Sequence, residues 1–186
     1  MKDIPRIIFD KNTIEINPGI YLNKNFFDLS IADKYVRILQ SHNEQEWHQH
    51  ENIESGDIDG TFWEDKCGAD IINTLDIHDP LLDVLAPSHW TYQHINFIRL
   101  RAGQRSEINL HQSAIFAEYK IAWYLGNFKG GEIVFPNLNF KYQPEHNDLL
   151  IFKINSDTHH YTDIVTSGTR YAYMDYIIPH PGYFMP

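Results

Sequence analysis

Between Ala117 and Ile178 the chain reads AEYK IAWYLGNFKG GEIVFPNLNF KYQPEHNDLL IFKINSDTHH YTDIVTSGTR YAYMDYII. Short runs rich in β-branched and aromatic residues alternate with Gly, Asn, Asp and Pro. The pattern predicts strands over Ala117–Leu125, Glu132–Phe135, Phe140–Tyr142, Asp148–Lys153, Tyr161–Val165 and Arg170–Ile178. Thr91–Leu100, just upstream, has the same texture. So many short strands imply an antiparallel barrel or double sheet, a mostly β fold buttressed by N-terminal helices.

The buttress is read from the first half. Ser30-Ile31-Ala32-Asp33 predicts a helix start, with Ser30 as N-cap and Asp33 in the first turn. Ile31, Tyr35, Val36 and Leu39 recur at helical spacing, and the pattern fades at His42-Asn43. Residues 44–70 are polar and read as a long surface segment. Asp79-Pro80 opens a second short helix, with Leu81, Leu82, Val84 and Leu85 on its apolar face and Pro87 at its end. The change of texture near residue 90 separates a helical buttress (1–90) from a β core (91–186) inside one domain, because the helices need a sheet face to bury their stripes.

The composition narrows the function. The 186 residues are 42% hydrophobic and 14% aromatic, which indicates a globular chain. A net charge of -10 argues against generic binding to nucleic acid or to an anionic membrane, although an acidic protein can hold a basic pocket. Cys67 is the only cysteine, which excludes an internal disulfide and a cysteine-based zinc site. No apolar run is of membrane-spanning length, and Met1-Lys2-Asp3-Ile4-Pro5 lacks the apolar core of a signal peptide. The expectation is a soluble, cytoplasmic protein.

Two histidines about fifty residues apart, with an arginine ten residues after the second, suit a redox metal and a dicarboxylate cosubstrate: His111, His160 and Arg170. Of the eleven histidines, His42, His48, His50, His78, His89, His94 and His180 are read as ordinary surface or core residues. His48-x-His50 could chelate a metal from a strand, but its polar surroundings place it on a loop. Trp47, Trp63 and Trp90 are read as packing residues in preference to a lid.

Three blocks carry a resemblance. Tyr124-Leu125-Gly126-Asn127 is followed by Gly130-Gly131-Glu132-Ile133-Val134-Phe135-Pro136; Tyr142-Gln143-Pro144 leads to Leu149-Leu150-Ile151-Phe152; and His160, Val165, Gly168, Arg170 and Tyr171 close the series. In this order and spacing, Asn96–Tyr176 resembles the prolyl-4-hydroxylase-like branch of the Fe(II)/2-oxoglutarate-dependent oxygenases. The resemblance implies a double-stranded β-helix (jelly-roll, cupin-like) core, with Fe(II), 2-oxoglutarate and O2 as cofactors. It implies His111 and His160 as metal ligands, with His159 one residue out of register. It implies Arg170 on the far carboxylate of 2-oxoglutarate. Tyr124 is either a further donor to that carboxylate or an inward-facing barrel aromatic.

The chain departs from the family at Ser113. His111-Gln112-Ser113 stands where a His-x-Asp or His-x-Glu is expected. His146-Asn147-Asp148 falls in a turn before a strand, and His42-Asn43-Glu44 at a helix end; both are read as decoys. Three readings follow. A halogenase would place chloride in the position that Ser113 vacates, and it is favoured because two histidines then suffice. A hydroxylase would complete the site with water, or with Glu107, Glu118 or Ser113 itself. A binding-only protein would have lost catalysis. The expected partner is a small-molecule substrate, with a peptide or nucleotide left open.

Overall fold

The computed structural model describes residues 11–49, 55–56, 62–63, 69–73, 96–106 and 118–177. The chain enters through a hairpin, β1 (Ile14–Asn17) and β2 (Ile20–Asn23). Helix α1 follows (Leu29–Ser41). Four short strands come next: β3 (His48–Gln49), β4 (Ser55–Gly56), β5 (Phe62–Trp63) and β6 (Asp70–Asn73). The remainder is β7 (Asn96–Arg101), β8 (Tyr119–Leu125), β9 (Phe128–Gly130), β10 (Ile133–Phe135), β11 (Phe140–Tyr142), β12 (Leu149–Lys153), β13 (Tyr161–Thr162) and β14 (Val165–Ile177).

The major sheet has nine strands in the order β1-β2-β12-β8-β14-β7-β6-β3, with β9 paired to the start of β14. A three-stranded sheet, β11-β10-β13, forms the second layer, and β4 and β5 pair with each other. All the pairings are antiparallel. The mostly β, two-layer fold expected from Ala117–Ile178 is therefore present.

Alternation along the central strands gives the major sheet two different faces. On the outer face, Tyr119, Ile121, Trp123 and Leu125 of β8 join Leu149, Ile151, Phe97, Tyr171 and Tyr173. Ala32, Tyr35 and Leu39 of α1 cover them. Tyr35 meets Trp123 edge-on, with centroids 5.3 Å apart. On the inner face, Ala122 and Tyr124 join Leu150, Phe152, Ala172, Ile20 and Leu22, and β10 closes the layer with Ile133 and Phe135. β8 is covered on both sides, so all seven of its residues are buried.

Several expectations change. α1 begins two residues earlier than the pattern suggested. Asp28, not Ser30, is the N-cap, and its carboxylate accepts from the Ser30 amide (2.9 Å) and hydroxyl (2.6 Å). Ser30 satisfies the cap as a donor. His48 lies on strand β3 and not on a loop. The part before residue 90 contributes strands as well as a helix, since β1, β2, β3 and β6 all join the major sheet. The second helix expected at Asp79–Pro87 lies outside the described residues. No described helix is long and apolar enough to cross a membrane.

Candidate active site

The inner face of β8 and β14 holds the polar groups that the apolar layer does not explain. Arg170 is 3% exposed, and Tyr124 is fully buried. In the ladder, Tyr124 pairs with Ala172, two residues along from Arg170. The Arg170 guanidinium therefore lies over the Tyr124 ring, 4.6 Å from its centroid. Among the described residues, neither Arg170 Nε nor the Tyr124 hydroxyl has a hydrogen-bond partner. Burial works against the guanidinium's charge, and Tyr124 offsets part of that. Burial also pushes the Tyr124 hydroxyl up, which keeps it a donor. Apart from their interaction with each other, these two donors side by side match a carboxylate, which is acceptor-only and takes a planar fork well.

The Gly130-Gly131 pair is what lets Arg170 lie there. Gly131 has φ +69°, and a Cβ on it would come within 3.0 Å of Val165 Cγ2 and 3.1 Å of Arg170 Cδ. Gly130 has φ +70°, and a Cβ there would meet the Ile164 carbonyl oxygen at 2.4 Å. Both residues need the left-handed region that glycine reaches without strain, and both let the chain press against the start of β14.

His160 follows the 3-10 turn Ser156–Thr158 and precedes β13. The adjacent His159 is the C-cap of that turn. Both histidines thus lie between this turn and β13, and not on a strand. The His160 ring packs edge-on against Phe152 at 4.7 Å and lies 5.6 Å from the Phe135 ring. Its Nδ1 is 3.0 Å from the Thr158 carbonyl oxygen. That carbonyl can only accept, so Nδ1 carries the proton and Nε2 the lone pair, the tautomer a metal ligand needs. Nε2 faces Lys120 Nζ at 3.3 Å. Lys120 is 6% exposed, and desolvation, with a smaller push from Arg170, lowers its pKa to about 8.

Lys120 is the residue the sequence reading missed. A lysine in a strand ordinarily marks a solvent-facing position. The signal was its even spacing with Ala122 and Tyr124, which puts it on the inner face.

His111, Ser113 and Glu107 lie outside the described residues. Glu118 is exposed at the start of β8. Among the described residues no three His, Cys, Asp or Glu side chains gather as a metal site. The two decoys are structural. His146 Nδ1 accepts from the Gly126 amide at 3.1 Å. Asn147, at φ 69°, accepts from Trp123 Nε1 and the Phe27 amide and donates to the Phe27 carbonyl. Asp148 accepts from the Tyr142 hydroxyl and the Glu145 amide. His42 caps α1, and Glu44 binds Arg99. Trp47 packs under Arg99 on the outer face, with the guanidinium 4.3 Å from the ring centroid, which favours the packing reading.

No family model matches the sequence, and no curated protein matches it. The fold does match solved structures. A viral collagen prolyl hydroxylase from Paramecium bursaria Chlorella virus-1, in complex with 2-oxoglutarate, aligns with TM-score 0.64 at 12% identity over 86% of this chain and 95% of its own. A Pseudomonas putida prolyl-4-hydroxylase aligns with TM-score 0.60 at 12% identity, over 87% and 93%. A Trichoplax adhaerens prolyl hydroxylase, in complex with a hypoxia-inducible factor peptide fragment, gives 0.61 at 12% identity, over 86% and 84%. The chain thus has the fold of prolyl-4-hydroxylase-like 2-oxoglutarate/Fe(II) oxygenases.

Proposed function

We propose that this chain is an Fe(II)/2-oxoglutarate-dependent oxygenase of hydroxylase type, acting on an unactivated C–H bond. The observation that carries the reading is Arg170, buried with an orphaned Nε beside the orphaned Tyr124 hydroxyl. The far carboxylate of 2-oxoglutarate supplies the acceptors both need. On this reading the two layers form a double-stranded β-helix, and 1–186 is one domain.

His160, with His111 from the segment after β7, would hold the iron. Ser113 stands in the sequence where the carboxylate is expected, and water would complete the site in its stead. Bound in this way, Fe(II), O2 and 2-oxoglutarate supply an oxidation that converts the cosubstrate to succinate and carbon dioxide. The chain's own residues do the positioning. Arg170 and Tyr124 orient the cosubstrate by its far end. The Thr158 carbonyl holds Nδ1–H of His160, which leaves Nε2 turned towards Lys120 on the inner face. Phe135 and Phe152 fix the imidazole plane. A metal on Nε2 requires the Lys120 amine to leave that nitrogen.

The substrate is a small molecule or a peptide side chain. The peptide alternative is drawn from the Trichoplax adhaerens neighbour and its bound peptide fragment. Halogenation is the second reading, and it rests on Ser113 alone. Anaerobic Fe(II) titration followed by turnover, with and without chloride, separates the readings. The proposal expects succinate and a hydroxylated product at any chloride concentration, with metal binding equal or tighter in Ser113→Asp. A chlorinated product would support halogenation. Bound 2-oxoglutarate with no succinate across a substrate panel would leave a binding protein.

A further inference from the structure

His160 follows a turn and not a strand, so no ladder aims its ring. The turn is held instead by its own polar groups. The Asn155 side-chain oxygen accepts from the Asp157 amide at 2.9 Å and from the Thr158 amide at 3.1 Å. The Asn155 amide donates in return to the Thr158 hydroxyl oxygen at 3.2 Å, which closes a capping box. The Thr158 hydroxyl gives its own proton to the Lys153 carbonyl at the end of β12. From the second layer, Asn137 Nδ2 donates to the Ser156 carbonyl at 2.7 Å. The remaining polar group of Thr158 is its carbonyl, which accepts from His160 Nδ1 at 3.0 Å. Thr158 is 4% exposed, so water has little access to replace these bonds. β12 lies inside the major sheet, between β2 and β8. Its last two residues therefore fix the imidazole twice. Phe152 packs on the ring, and Lys153, through Thr158, holds the carbonyl to which Nδ1–H points.

We infer that Asn155 is a positioning residue for the His160 imidazole: it fixes the Thr158 carbonyl, the carbonyl fixes Nδ1–H, and Nε2 keeps its lone pair for a metal ion. The inference rests on the assignment of His160 to the metal made above. The turn aims this ligand before a metal arrives, so metal affinity depends on a side chain that touches neither the metal nor the imidazole.

The test is Mn(II) titration of the full chain, read by the paramagnetic resonance of the free ion. Asn155→Gly removes the capping oxygen at little cost in stability, and Asn155→Ser keeps an acceptor there. Asn155→Gly should weaken Mn(II) binding roughly threefold or more, and Asn155→Ser should stay within about twofold of wild type. A second readout is solvent exchange of the His160 Nδ1–H proton in the metal-free protein, followed by 15N-resolved NMR. It should be roughly tenfold faster in Asn155→Gly and close to wild type in Asn155→Ser. Thr158→Val removes the hydroxyl at nearly constant shape and should move both readouts as Asn155→Gly does. Circular dichroism checks that each variant is folded, and where Thr158→Val is not, Asn155→Gly decides. Asn147→Ala breaks bonds of the fold away from this turn and should leave Mn(II) affinity within about twofold, which separates aiming from lost stability. Wild-type values of either readout in the folded truncations overturn the inference, as does equal weakening in Asn147→Ala. Mn(II) bound with unchanged affinity in the truncations leaves the proposed function standing. If the wild type binds no Mn(II), proton exchange alone decides the aiming, and the assignment of His160 to a metal falls.

Discussion

Two arginines one strand apart, Arg99 on β7 and Arg170 on β14, are buried to the same degree, at 5% and 3% exposure. They sit on opposite faces of the major sheet and live in opposite electrostatic worlds. Arg99 is saturated. Its Nε and one terminal nitrogen reach Asp70 Oδ2 at 3.1 and 2.9 Å, and both terminal nitrogens reach Glu44 at 2.8 and 2.7 Å. Trp47 covers its plane. Arg170 has a tyrosine face and an orphaned Nε. A buried cation with its carboxylates in place holds the fold together. A buried cation with no acceptor for its Nε among the described residues is where the proposed function seats a ligand.

Substitutions on the two faces should separate these roles. Arg99→Met strands Asp70 on the outer face with only Arg101 left to answer it, so we expect a stability loss of about 3 kcal/mol. Urea denaturation measures it, and dicarboxylate affinity of the folded protein should stay within about twofold of wild type. Asn147→Ala removes the acceptor of Trp123 Nε1 and both links to Phe27, and should cost roughly 2 kcal/mol in the same assay. Gly131→Ala should cost roughly 1–3 kcal/mol through its left-handed backbone. Because it also pushes on the Arg170 stem, Gly131→Ala should weaken dicarboxylate binding, which the two outer-face variants should not.

The smallest effect concerns pH. The Arg99 guanidinium, with Arg101 beyond it, holds the exposed Glu44 carboxyl below its ordinary value of 4.5. A depressed carboxyl contributes stability above its unfolded pKa and loses it as pH falls through the folded one. The stability gap between wild type and Glu44→Gln should be constant above about pH 5 and should shrink on acidification below that. A gap that widens as pH falls contradicts the ion-pair account.

The β core was legible because its strands alternate or run wholly apolar between turn residues. Phe140–Tyr142 matches to the residue. The β1–β2 hairpin carried a readable Pro18-Gly19 turn, with Gly19 at φ 76°, but its short strands lack a strong pattern. β6 hides because its Asp70 serves the Arg99 network and its pairing is set by β7, and β3 because it is two residues long and pairs only with β6. At the site, the family blocks named Tyr124, His160 and Arg170, and the structure brings these to the inner layer beside Lys120. The lysine was hidden because its charge argues for solvent, and only the covering of β8 on both faces buries it.

If the proposed function holds, Arg170 is buried for a ligand and not for the fold. The direct test measures urea stability of wild type and Arg170→Met, each with and without saturating 2-oxoglutarate. The account predicts that the variant without ligand is at least as stable as wild type, since a desolvated charge has been replaced by an apolar chain of similar length. It also predicts that 2-oxoglutarate stabilises the wild type, by about 2.7 kcal/mol at a hundred times its Kd, and leaves the variant unmoved. A variant as destabilised as Arg99→Met, or one stabilised by 2-oxoglutarate as much as wild type, would contradict it.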